Sequence, residues 1–129
     1  MGAASQFKVG GVPGGVRQLL NVQTLTPLGS TVADAAQITT KGPAIVYATG
    51  ADGTKGIKLP KAVPGKMYIV VNRDSDNAVL KVYPFEAAGI INGLSAAAAI
   101  SMAAKTRAIF VCVVGGASSI WSTLPLLPS

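Results

Sequence analysis

The stretch GIKLPKAVPGKMYIVVNRDSDNAVLKVYP, residues 56–84, decides the fold class. Gly56 to Leu59 is a short strand stopped by Pro60, and Pro64-Gly65 supplies the two central residues of a β-turn. Met67 to Asn72 follows as a strand whose Ile69, Val70 and Val71 leave no polar face, the pattern of a strand buried on both sides. Arg73 to Asn77 is a polar connector, after which Ala78 to Tyr83 resumes as a strand until Pro84. Short apolar runs closed by proline and glycine, with no 3.6-residue period, predict β-structure.

The same texture extends in both directions. Asn21 to Thr26 alternates weakly and ends in the turn cluster Pro27-Leu28-Gly29-Ser30. Thr31 to Thr40 has the alanines of a short helix, which Thr39-Thr40 and Gly42-Pro43 would stop. Ala44 to Thr49 reads as a strand, followed by the Asp52-Gly53 turn signal. Downstream, Ile90-Ile91 precedes an Asn92-Gly93 turn. Ser95 to Ala104 is alanine-rich and favours a helix by propensity. Its short length between strand-like segments makes a strand the expectation. Arg107 to Val114 is apolar on both faces after its first residue, as a central strand or one facing another subunit would be. Gly115-Gly116 turns the chain into Ser119–Leu124, and the proline-stopped end, Leu124 to Ser129, is expected to dock. About eight short strands without a solenoid repeat predict an all-β protein, an antiparallel β-sandwich of jelly-roll type spanning 21–129.

Residues 1–20 differ. Five glycines and Pro13 separate isolated apolar residues, including Phe7, Val9 and Val16. Such a segment is either a disordered tail or an extended arm that orders along a partner; the domain reading adopts the arm. The N-terminus lacks the charged-then-apolar order of a signal peptide, so no secretory leader is expected.

Composition asks for buried interface. Half of the residues are apolar and 12% are charged, whereas a soluble monomer carries about a quarter charged residues. No run approaches the roughly 18 apolar residues of a membrane-spanning helix, so no membrane association is expected. Net charge is +6, with seven of the eleven basic residues between Lys41 and Lys81. They are spaced singly and lack aromatic companions, so a nucleic-acid stacking platform is not expected. Lysines on exposed strand edges also guard against edge-to-edge aggregation.

The chemistry-bearing residues are few. There is no histidine, which removes the commonest general base and metal ligand. Cys112 has no disulfide partner and sits in an apolar run, as a small buried hydrophobe does. Asp74 and Asp76 resemble the opening of a calcium loop. Val79 and Phe85, however, stand where that loop needs its glycine and its bidentate glutamate, which leaves a polar turn. Glu86 with Asp52 or Asp34 could form a glycosidase pair only across a cleft, and no motif supports one. Gly10 to Gly15 lacks the Lys-Ser/Thr of a phosphate loop. The expectation is a non-enzymatic protein without cofactor or metal.

Leu59-Pro60, Ala62, Gly65, Tyr68, Val70, Asn72, Val82-Tyr83-Pro84, Ile91-Asn92-Gly93, Ile100, Ala108, Phe110 and Trp121 form an ordered set across residues 56–124. The set resembles a module of small virion proteins of tailed bacteriophages: capsid decoration (cement) proteins, head fibres and tail-fibre domains. The resemblance implies a homo-oligomer, a trimer ahead of a dimer, on the capsid exterior of a virion assembled from protein made in the host cytoplasm. Its main partner would be the major capsid protein. Under this reading Phe7, Lys8, Val9 and Arg17 contact the capsid, and Ile109, Val111, Val113 and Trp121 form the oligomer interface. Tyr68, Tyr83 and Trp121 are read first as packing residues, and Asn72 and Asn92 as turn formers. The alternative implied is a fibre module whose tyrosines or Trp121 stack on a host glycan.

Overall fold

The computed structural model describes residues 20–40 and 44–129. These form ten strands: β1 (Asn21–Leu25), β2 (Ala36–Gln37), β3 (Ala44–Ala48), β4 (Gly56–Lys58), β5 (Met67–Asn72), β6 (Leu80–Tyr83), β7 (Ile90–Ile91), β8 (Ile100–Met102), β9 (Arg107–Val114) and β10 (Ile120–Leu124). A single 3-10 turn covers Asp74–Asp76, and no α-helix occurs among the described residues. No helix there is long and apolar enough to cross a membrane.

The all-β expectation holds. The antiparallel one is corrected. The larger sheet has the order β1-β3-β5-β9-β10-β7 and the smaller β2-β4-β6-β8. Five of the eight strand pairs are parallel (β1–β3, β3–β5, β7–β10, β2–β4 and β4–β6) and only three are antiparallel, which sets the sheets apart from the all-antiparallel Greek keys of a jelly roll. Parallel neighbours need a long crossover. Here the crossover passes through the opposite sheet, so the chain alternates β1, β2, β3, β4, β5, β6 between the two.

The first half is therefore a two-sided coil. Asn21 pairs with Ala44, 23 residues on, and Ala44 with Tyr68, 24 on. On the other side Ala36 pairs with Ile57, 21 on, and Ile57 with Val82, 25 on. A positional repeat thus exists where no sequence repeat was visible. Successive crossings are stitched by backbone hydrogen bonds, Thr49 N–H to Leu25 O at 3.0 Å, Arg73 N–H to Ala48 O at 3.1 Å and Gly53 N–H to Val79 O at 2.9 Å. The second half closes the sheets with antiparallel strands: β8 on β6, β9 on β5, and β10 returning from the Gly115-Gly116 turn onto β9.

Strand alternation builds the core. Ala44, Val46 and Ala48 of β3, Tyr68, Val70 and Asn72 of β5, Ala108, Phe110 and Cys112 of β9 and Trp121 of β10 are all buried. The apolar ones among them join Ile57, Leu80, Val82, Ile100 and Met102 of the smaller sheet in one continuous cluster. Leu127 completes that cluster, and the Ser101 N–H donates to Pro128 O at 2.7 Å, so the C-terminal segment docks as expected. The helix considered for Thr31–Thr40 is a single turn, closed by Ala35 N–H to Thr31 O, ahead of β2. Within Ser95–Ala104 only Ile100–Met102 is strand, because the chain turns at Ala97, whose φ is 60°.

Candidate interaction surface

The outward residues of the larger sheet form its most distinctive surface. Parallel register aligns Val22 with Ile45 and Ile45 with Ile69. Antiparallel register then aligns Ile69 with Ile109, and Ile109 with Leu124. Five β-branched or aliphatic side chains therefore stand in one row across five adjacent strands, a span of roughly 19 Å at the usual strand spacing. A second row runs Thr24, Tyr47, Val71, Arg107, and a third runs Met67, Val111, Ser122. Val22 is 64% and Leu124 68% exposed, and Met67, Val113, Val114 and Ile120 also face solvent. A residue pattern of this kind on one sheet face would ordinarily be covered.

Arg107 is the only charged residue in the three rows, and its Nη2 lies 3.0 Å from the Asp74 carboxylate. Both side chains are more than half exposed, so the pair contributes little to stability, but it cancels the charge at that corner.

The outward face of the smaller sheet is built from different residues. Gln37, Lys58, Lys81 and Ser101 point away from buried Ala36, Ile57, Leu80, Val82, Ile100 and Met102. Lys58 Nζ sits 5.5 Å from the centre of the Phe85 ring, and Lys81 Nζ donates to Ser101 Oγ at 2.7 Å. Among the described residues Lys58, Lys61, Lys66, Lys81 and Lys105 have no carboxylate within ion-pair distance.

The carboxylates are occupied elsewhere, each at a turn. Asp34 accepts from the Thr31 hydroxyl and from the Ser30 and Thr31 amides. Those bonds, the Thr31 hydroxyl first, hold its pKa below the usual value. Asp52 accepts from Thr54 and Lys55 amides and the Thr54 hydroxyl, which lower its pKa to about 2. Asp76 is paired with the Arg73 guanidinium and accepts from the Gly50 N–H at 2.6 Å. The Arg73 bond is the main cause of its lowered pKa. Glu86 ties two turns together, accepting from the Ala62 N–H at 2.9 Å and the Ser119 hydroxyl at 2.7 Å. No group of three or more candidate metal ligands occurs among the described residues. The carboxylates considered for a glycosidase pair thus all have structural partners.

The predicted site residues divide. Ile109, Val111 and Val113 lie on the outward face of the larger sheet. Trp121 does not: it is fully buried, with its ring centroid 6.1 Å from that of Tyr68, and its assignment to an interface is corrected to the core. Tyr68 and Tyr83 are also buried, so neither they nor Trp121 presents a ring for a sugar; Tyr47 is the one tyrosine with substantial exposure. Phe7, Lys8, Val9 and Arg17 lie outside the described residues. Sequence reasoning missed Val22, Ile45, Ile69 and Leu124 as neighbours, since the first three are aligned by parallel pairing and Leu124 joins them only through β9. The signal present was the excess of apolar residues over what one core of this size uses.

Comparison with known proteins found no matching family, no matching curated protein and no matching solved structure.

Proposed function

We propose that this chain is a structural virion protein, one that binds the outside of an assembled tailed-bacteriophage capsid and stabilises it. The observation that carries the reading is the division of its surface into a mainly aliphatic face on the larger sheet, whose rows hold one charged residue, and a lysine-bearing face on the smaller. Two sheets sharing one core act as the layers of a sandwich, and each layer offers a different kind of contact. Unpaired lysines suit an acidic shell exterior. A protein that binds the assembled lattice and not its dissociated subunits shifts the shell toward the intact state by mass action. In this reading residues 1–20 are an arm that adds grip through Phe7, Lys8, Val9 and Arg17. The alternative reading, a fibre module that stacks aromatic rings on host glycan, has only Tyr47 left to supply a ring from the described tyrosines and tryptophan.

The test is co-sedimentation of the purified protein with capsids lacking it, followed by heating of the particles. Binding with a raised temperature of shell disruption is expected. Substituting Lys58 and Lys81 by Glu should abolish binding, and Phe7→Ser with Arg17→Ser should weaken it. Free protein that leaves the capsids bare at every concentration would reject the proposal.

A further inference from the structure

We propose that the outward face of the six-stranded sheet is a homotypic interface, on which a second copy of this chain packs face to face. The proposal builds on the reading of the chain as an assembly protein, but needs no capsid to be tested.

Size comes first. Five strands about 4.8 Å apart, of five to eight residues or about 17–27 Å each, make a face of roughly 400–500 Å². Two such faces pressed together remove about 800–1,000 Å² from water, the low end of specific interfaces. Packing is therefore expected to be real but concentration-dependent. The face is also shaped for it: branched side chains at pleated positions interdigitate with a second sheet at about 10 Å, as the layers of a sandwich do.

Charge decides the occupant. The molecule carries +6, so copies repel unless the contact keeps their cations apart. The three rows of this face hold one charged residue, Arg107, already paired with Asp74. Lys58 and Lys81 stand on the far side of the other sheet. Face-to-face packing stacks four sheets and separates the two lysine faces by about 30 Å, several screening lengths at physiological salt. An acidic partner would gain nothing from the aliphatic face and would choose the lysines. A second copy gains most there.

A face that meets its own copy is isologous and gives a two-fold pair. Ile69 lies on β5, the middle strand of the row, and so falls near the axis.

Sedimentation equilibrium of the full chain over a wide concentration range tests the pairing. Dimer is expected, with Ile69→Lys abolishing it at unchanged circular dichroism. In case Ile69→Lys disturbs folding, Val22→Thr combined with Leu124→Ser alters only highly exposed positions. This pair of changes is expected to weaken dimerisation about tenfold or more. A monomer at the highest soluble concentration overturns the proposal, as does an oligomer unaffected by both sets of changes. An intact chain that dimerises only after Phe7→Ser and Val9→Ser also overturns it, since the face would then belong to the chain's own N-terminal segment. The monomeric variant can be added to capsids separately, so loss of pairing and loss of shell binding are read independently.

Discussion

Asn72 is the one buried amide side chain in the core of the larger sheet, and its surroundings explain its nitrogen, though its Oδ1 is buried without a partner among the described residues. Its Nδ2 faces three carbonyl oxygens, Ala78 at 2.7 Å, Ala103 at 3.1 Å and Met102 at 3.3 Å. It thereby ties the end of β5 to the connector before β6 and to the chain leaving β8. Replacing it with Ala leaves buried carbonyls without their donor, a loss of about 1–3 kcal/mol in urea unfolding. Asn72→Asp is expected to be worse, because a carboxylate only accepts and would face acceptors. Equal stability of wild type and both variants would show that the three bonds carry nothing. The sequence suggested a turn residue here, since Asn72 opens onto the polar run Arg73–Asn77. Local sequence cannot reveal that the partners come from residues 78, 102 and 103. Asn92 illustrates the opposite case. It is a turn former at φ 54°, as its place before Gly93 suggests, and it also exchanges two hydrogen bonds with Thr123. Cys112 is buried among core residues, as its apolar run predicted.

Individual elements were legible where burial alone shapes them. Met67–Asn72 and Arg107–Val114 are strands with the bounds their apolar runs suggest, because both cross the centre of the larger sheet. Their partners were not legible. Turn chemistry at Asp52-Gly53 says that the chain reverses, but not which sheet the next strand joins. The turn carries the chain from β3 in one sheet to β4 in the other. Gly56, at the start of β4, shows what such a crossing demands. A Cβ there would lie 2.6 Å from Tyr83 Cε2, because the tyrosine ring lies across β4 to donate from its hydroxyl to Ser30 O at 2.7 Å. Gly56→Ala is therefore expected to cost about 1–3 kcal/mol by overpacking. In a Tyr83→Ala background the same change should cost distinctly less, since the obstructing ring is gone. Additive costs in this double-mutant cycle, read by urea unfolding, would refute the contact as the reason for the glycine.

At the scale of the whole molecule, the coil places one turn-anchoring aspartate in each of its three crossings from the larger sheet to the smaller. Asp34 serves the crossing from β1 to β2, Asp52 that from β3 to β4, and Asp76 that from β5 to β6. Asp76 also reaches the Gly50 amide of the preceding crossing, so adjacent turns of the coil are joined through a carboxylate. All three have pKa values lowered below 3.8, Asp52 to about 2. A group whose folded pKa lies below its unfolded value stabilises the fold above the unfolded value, and loses that contribution as pH falls through the folded one. The Tm is thus expected to hold steady near neutrality and to fall between about pH 4 and pH 2. Protonating all five carboxylates also raises the net charge from +6 to +11, which adds repulsion that salt can screen. The two causes separate in Asp52→Asn, which loses the charged acceptor at neutral pH yet keeps the other four carboxylates. Its Tm should be lower than wild type at pH 7 and converge on it near pH 2, at both low and high salt. A constant gap between the two proteins across that range would mean that Asp52 anchors its turn equally well in either protonation state, and that the acid loss comes from the other carboxylates or from repulsion.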